Sequence, residues 1–326
     1  MARYSEDPKW ADVTPFPQDD GGPNPLAAIS YTEGYAEAMA YLRAVMASNE
    51  MSPRALELTE DIIGMNPAHY TVWLYRARII THLSLNLHDE ITWLNTISLL
   101  HPKNYQIWHH RQAIIDRLDS AAGGEIAFIN QMLAEDAKNY HVWSYRQWLV
   151  RRFALWESSQ VSGRTGESET TELRETELFL ERDVRNNSAW NHRFFVVHAR
   201  LPEGGPDAAV VEREMEFAKA AIRRAPNNQS PWAYLRGVVE RDAHGKKGII
   251  RLQGFCEEFV SSLDRVRSSH ALQLLAEIYA LTERKREARD ALDLLASAYD
   301  PIRVNYWRYL KGRLDKGPAG DGVVAS

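Results

Sequence analysis

An all-α fold, built as a right-handed α-solenoid or crescent of helical hairpins, is what this 326-residue sequence predicts. Three observations carry that expectation. Trp73, Trp108 and Trp143 stand 35 residues apart, and each is followed three positions later by an arginine, Arg76, Arg111 or Arg146. A fixed period of this size marks a chain of stacked supersecondary units. Apolar residues around each tryptophan recur at helical intervals. The 18 glycines and 14 prolines gather between the periodic segments, as short connections between many helices require.

In chain order, residues 1–55 read as a Pro/Gly-rich extended arm with a first helix, residues 56–311 as the solenoid, and residues 312–326 as a disordered tail. Within the arm, residues 12–25 hold Pro15, Pro17, Pro23 and Pro25 with Gly21 and Gly22, and residues 35–48 follow as a helix. Each repeat pairs an amphipathic helix with a tryptophan helix. In residues 125–135, for example, Ile126, Ile129 and Leu133 share a face. In the tryptophan helix Val72, Arg76, Ile79 and Leu83 form one stripe, as do Ile107, Arg111, Ile114 and Leu118, and Val142, Arg146, Leu149 and Phe153. A guanidinium embedded in such a stripe must find a carboxylate or the orphan carbonyls of a helix end, because an unpaired buried charge is too costly. Trp190 with Arg193 is a fourth copy, 47 residues on, the excess matching a polar insertion at 157–170. The variant Trp232 to Arg236 is a fifth, and Trp307 to Lys311 a degenerate sixth. At about 150 residues per domain the length alone suggests two domains, unless the repeat lets one architecture run on.

Composition excludes several classes. No apolar run reaches the roughly 18 residues of a membrane span, and residues 1–10 lack a signal-peptide core. The reading is a soluble, unsecreted, cytoplasmic protein. The single Cys256 excludes an internal disulfide framework and a cysteine zinc cluster, and beside Phe255 and Phe259 it reads as a core residue. A net charge of −5 argues against nucleic-acid binding. His101, His109, His110 and His141 are locally dense, but no His-x-x-x-His pair occurs, so no metal site is expected in this chain. Nor is there a glycine-rich phosphate loop, a Gly-x-Ser-x-Gly elbow or a Cys/His nucleophile pair. Taken alone, the chain lacks a complete active site.

What remains is the turn between paired helices. Four residues before each tryptophan stand His69, Asn104, Asn139, Asn186 and Asn228, and asparagine is a favoured N-cap. One position earlier, Lys103, Lys138 and Arg185 place a cation beside a helix N-terminus, which suits an anion and equally suits a solvated surface. Tyr70, Tyr105 and Tyr140 follow the cap, in positions open to packing or to function. A curved stack of such pairs offers a concave surface for another protein.

These residues resemble the protein farnesyltransferase and geranylgeranyltransferase type I α-subunit family. The resemblance runs from about Asp12 to Leu310. Its most specific parts are Pro17 to Pro25, Pro102 to Arg111, Asp136 to Trp143 and Asp183 to Trp190. It implies the family's repeats in a crescent around a catalytic β subunit, with zinc on that subunit and magnesium as a further cofactor. The implied reaction moves a prenyl group from farnesyl or geranylgeranyl diphosphate to the cysteine of a C-terminal CaaX sequence, as on Ras-like GTPases. By the same resemblance Lys138 meets the diphosphate, Tyr140 stands near it, Tyr105 lines the peptide or product side, and His141 meets the CaaX carboxylate. The 157–170 insertion and the Gly/Pro loop after Leu201 depart from the family pattern. The alternatives are the Rab geranylgeranyltransferase α subunit, for which the chain is short and the Pro-Gln-Asp-Asp-Gly arm unexpected, and a tetratricopeptide-like scaffold, whose signature differs.

Overall fold

A computed structural model describes residues 4–22, 24–119, 122–155, 171–199, 207–241, 245–262 and 265–316. The insertion at 157–170, the loop at 200–206 and residues 317–326 lie outside the described residues, and residues 312–316, expected as the start of a disordered tail, are helical instead. Among the described residues the fold is all-α apart from one short pair of strands, and the chain divides into two compact units, Met1–Ala154 and Leu155–Ser326.

In the first unit α1 (Glu33–Ala47) precedes three hairpins: α2 (Pro53–Met65) with α3 (Tyr70–His82), α4 (Leu87–Leu100) with α5 (Tyr105–Leu118), and α6 (Ala122–Glu135) with α7 (Tyr140–Arg152). The first helix starts two residues before the sequence expectation, because the Thr32 hydroxyl accepts the Tyr35 N–H and caps it there. The second helices α3, α5 and α7 lie side by side, as a solenoid requires. Residues 11–20 carry no regular helix or strand beyond a short turn at their start. Arg54 pins this arm with bonds of 2.7 and 2.9 Å to the Asp12 carboxylate, and Arg43 donates to the Phe16 carbonyl.

The second unit holds α8 (Thr171–Arg182) with α9 (Asn187–His198) and α10 (Ala208–Arg224) with α11 (Gln229–Glu240). Then come α12 (Gln253–Glu257), the antiparallel β1 (Val260–Ser262) and β2 (Arg265–Val266), α13 (Ser269–Leu281), α14 (Lys285–Leu294) and α15 (Val304–Lys316). The hairpin has no counterpart in the sequence expectation. Cys256 is fully buried, as its neighbours implied, and burial pushes its thiol up to about 12.

The repeat signature is a set of bonds. Each indole N–H donates to the carbonyl six residues back, Pro67, Pro102, Ala137, Val184 or Pro226, at 2.8–3.1 Å, and so closes the turn before its own helix. Asn104, Asn139, Asn186 and Asn228 cap as expected, each accepting an N–H from the helix it starts. His69 holds the same place without a side-chain cap bond. The Asn139 amide also donates to the Pro102 carbonyl at 3.2 Å, and the Asn228 amide to Val184 at 2.8 Å. One carbonyl therefore serves its own indole and the cap of the following repeat.

The buried arginines find carboxylates. Arg76 grips Glu90 at 2.8 and 2.7 Å, Arg111 grips Glu125 at 2.7 and 2.6 Å, and Arg193 grips Glu214 at 2.7 and 3.1 Å. Each carboxylate sits on the first helix of the next repeat and takes a third bond from that repeat's tryptophan helix. The donors are His110 on Glu90, Tyr145 on Glu125 and Tyr234 on Glu214. Aromatic rings cover the guanidinium faces, Trp93 over Arg76 and Phe217 over Arg193, each at 3.7 Å. Burial opposes ionisation of Glu90, but His110 and Arg76 outweigh it and hold the carboxyl below its ordinary value.

Candidate functional site

The turn from α6 into α7 gathers the chain's exposed chemistry. Asp136 ends the first helix and its Oδ1 accepts the Lys138 backbone N–H at 3.2 Å, while its Oδ2 lies 3.7 Å from the Lys103 ammonium of the preceding repeat. Asn139 then takes the His141 and Val142 N–H groups, at 3.0 and 3.2 Å, and starts α7. Lys138 is exposed beside that helix start, where the helix dipole adds positive potential.

Tyr140 and Tyr105 keep 67% and 66% of their surface open, far more than a packing role would leave. His141 is half-buried between them, its ring perpendicular to Tyr105 at 4.2 Å and 5.6 Å from Tyr140. Burial lowers its pKa, so it is neutral near pH 7. Tyr105, His141 and Tyr140 thus form a run of contacting rings, with Lys138 two residues before Tyr140. Beside Tyr105 a groove of about 400 Å³, lined by Tyr70, Trp73, Leu74, His109 and His110 among others, opens between α3 and α5.

Sequence reasoning missed the Lys103–Asp136 pair and the buried glutamates. The signal for the first was an aspartate seven residues before a tryptophan, at 136 and again at 183. The signal for the second was a glutamate 14 residues after Arg76 and after Arg111. The histidines separate by face: His110 is buried on Glu90 and His109 is exposed. Among the described residues no three His, Cys, Asp or Glu side chains are grouped so as to hold a metal ion. No described helix is long and apolar enough to cross a membrane.

Residues 52–83, 87–118, 123–153, 170–200 and 211–242 match the family described as "Protein prenyltransferase alpha subunit repeat". These spans coincide with the five helical hairpins. A pea (Pisum sativum) protein named "Protein farnesyltransferase/geranylgeranyltransferase type-1 subunit alpha" is 40% identical over 94% of this chain and 93% of its own length. The protein of the same name from Dictyostelium discoideum is 36% identical over 94% of this chain and 92% of its own. The chain belongs to the protein prenyltransferase alpha subunit family. A chain of the solved structure "Candida albicans protein geranylgeranyltransferase-I complexed with GGPP" superposes with a TM-score of 0.83 at 37% identity, covering 94% of this chain and all of that one. The tryptophan–carbonyl and arginine–glutamate bonds described above are how this member of the prenyltransferase alpha subunit family builds its repeats.

Proposed function

We propose that the chain is the α subunit of a heterodimeric CaaX protein prenyltransferase, of the kind shared by the farnesyl and type I geranylgeranyl enzymes, and works in the cytoplasm. The near full-length relatives named for that subunit support it. In this reading the β subunit holds the zinc and most of the diphosphate pocket, magnesium is a further cofactor, and the α chain supplies one wall of the site. The prenyl donor is farnesyl or geranylgeranyl diphosphate and the acceptor a CaaX cysteine on proteins such as Ras-like GTPases.

The observation that carries the site is an exposed cation, Lys138, at the N-terminus of the helix that carries the open Tyr140. As the acceptor sulfur, having given up its proton, bonds as thiolate to C1 of the prenyl chain, the C1–O bond breaks and the diphosphate leaves with its electron pair. Charge grows on the leaving oxygens. The Lys138 ammonium and the α7 dipole stabilise that charge where it develops. Tyr140 stands close enough in sequence to donate to the same group, Tyr105 lines the peptide or product side, and His141 meets the CaaX carboxylate. Lys138→Ala, co-expressed with its β subunit, is expected to assemble normally and to lose on the order of 10²-fold in turnover. Unchanged turnover would remove Lys138 from the reaction.

A further inference from the structure

We infer that Asp136 is a positioning residue for Lys138, with Lys103 as its counter-ion; this rests on the role just assigned to Lys138. A lysine side chain is long and loses much rotamer freedom when it must meet one anion in one place, so its backbone must be fixed first. Asp136 does this through the 3.2 Å bond from the Lys138 N–H, which sets the direction in which the side chain leaves the turn. The same bond recurs elsewhere, from Ala68 N–H to Asn66 at 3.2 Å and from Arg185 N–H to Asp183 at 2.8 Å, so the turn by itself is architecture. At the α6–α7 turn the carboxylate is also answered by a cation. Lys103, the residue of the preceding repeat equivalent to Lys138, reaches across to Asp136 Oδ2 at 3.7 Å.

That pairing has an electrostatic consequence. A bare carboxylate two residues from Lys138 would repel a diphosphate and weaken the field that Lys138 and the α7 N-terminus present. The Lys103 charge offsets it, although both groups are open to solvent, at 77% and 43%, and the offset is correspondingly modest. The second repeat's lysine thereby acts through the third.

The test compares Asp136→Ala, Asp136→Asn and Lys138→Ala in the α/β holoenzyme, reading kcat, KM for the prenyl diphosphate and the thermal midpoint. Asp136→Ala is expected to lower kcat/KM about tenfold with the midpoint unchanged, a loss in line with a small misplacement of a reacting group. Asp136→Asn keeps the acceptor oxygen and is expected to restore most of it. The inference is overturned if Asp136→Ala turns over normally, or if its loss follows a fallen midpoint that Asp136→Asn does not mend. Should Asp136→Ala fail to assemble, Lys103→Met reads the pair from its other side. There KM is expected to rise about threefold at constant kcat, the size of a weak exposed ion pair, and an unchanged KM overturns the inference. A normal Lys138→Ala would instead overturn the role of Lys138 itself, an outcome separate from either.

Discussion

At the residue scale the unit of this fold is a glutamate that answers two repeats at once. Glu125 accepts two bonds from Arg111 and one from the Tyr145 hydroxyl at 2.6 Å, in a setting where the arginine is wholly buried. Removing the carboxylate leaves a buried guanidinium uncompensated, which costs about 3–5 kcal/mol, whereas removing both charges costs far less. Glu125→Ala is therefore expected to lower the unfolding free energy of the full chain by that much, with a matching fall in the denaturant midpoint at constant m. The double substitution Arg111→Met with Glu125→Leu should recover most of it, read by urea unfolding followed by circular dichroism. Equal losses in the single and double variants would mean that packing volume, not charge pairing, holds this joint.

At the scale of elements, the tryptophan fixes the turn before its helix and the asparagine fixes the start of that helix. Asn228 does both jobs at once, capping through Oδ1 on the Ser230 N–H and tying to the preceding repeat through Nδ2 on the Val184 carbonyl. Asn228→Asp keeps the cap and loses the tie. Its expected cost is about 1 kcal/mol, the usual net value of one hydrogen bond, against a larger loss for Asn228→Ala, both measured by thermal unfolding. The hairpins, their caps and the need of the buried arginines for carboxylates were legible in the sequence because periodicity and capping chemistry are local. The partners of those arginines were not. Glu90, Glu125 and Glu214 look like ordinary surface residues until the next helix folds against them, and pairing across repeats leaves only a spacing. The rings of Tyr105, His141 and Tyr140 were legible one by one, but their contact depends on how α5 lies against α7.

Across the whole molecule the buried and half-buried histidines and the bridging glutamates pull stability in one direction. Burial, aided by the Arg241 charge and opposed by Glu214, holds His198 at about 4, and burial also lowers His141 and His270. An unfolded chain takes up those protons near the ordinary value of about 6.5. Between that value and the folded one the unfolded state binds more protons, so stability falls as the pH falls. Glu90 and Glu214 are held below the ordinary carboxyl value: burial opposes ionisation, and it is outweighed by His110 and Arg76 at Glu90 and by Arg193 at Glu214. Their contribution is present above about pH 4.3 and is lost as the pH drops through the lowered folded values. The thermal midpoint of the full chain is therefore expected to decline first from about pH 6.5 and more steeply below about pH 4.3. His198→Leu, which keeps an apolar group beside the Phe194 ring now 4.3 Å away, should flatten the first part of that decline and leave the second. A profile that His198→Leu does not alter would take His198 out of the acid response and leave it to His141, His270 and the glutamate bridges between repeats.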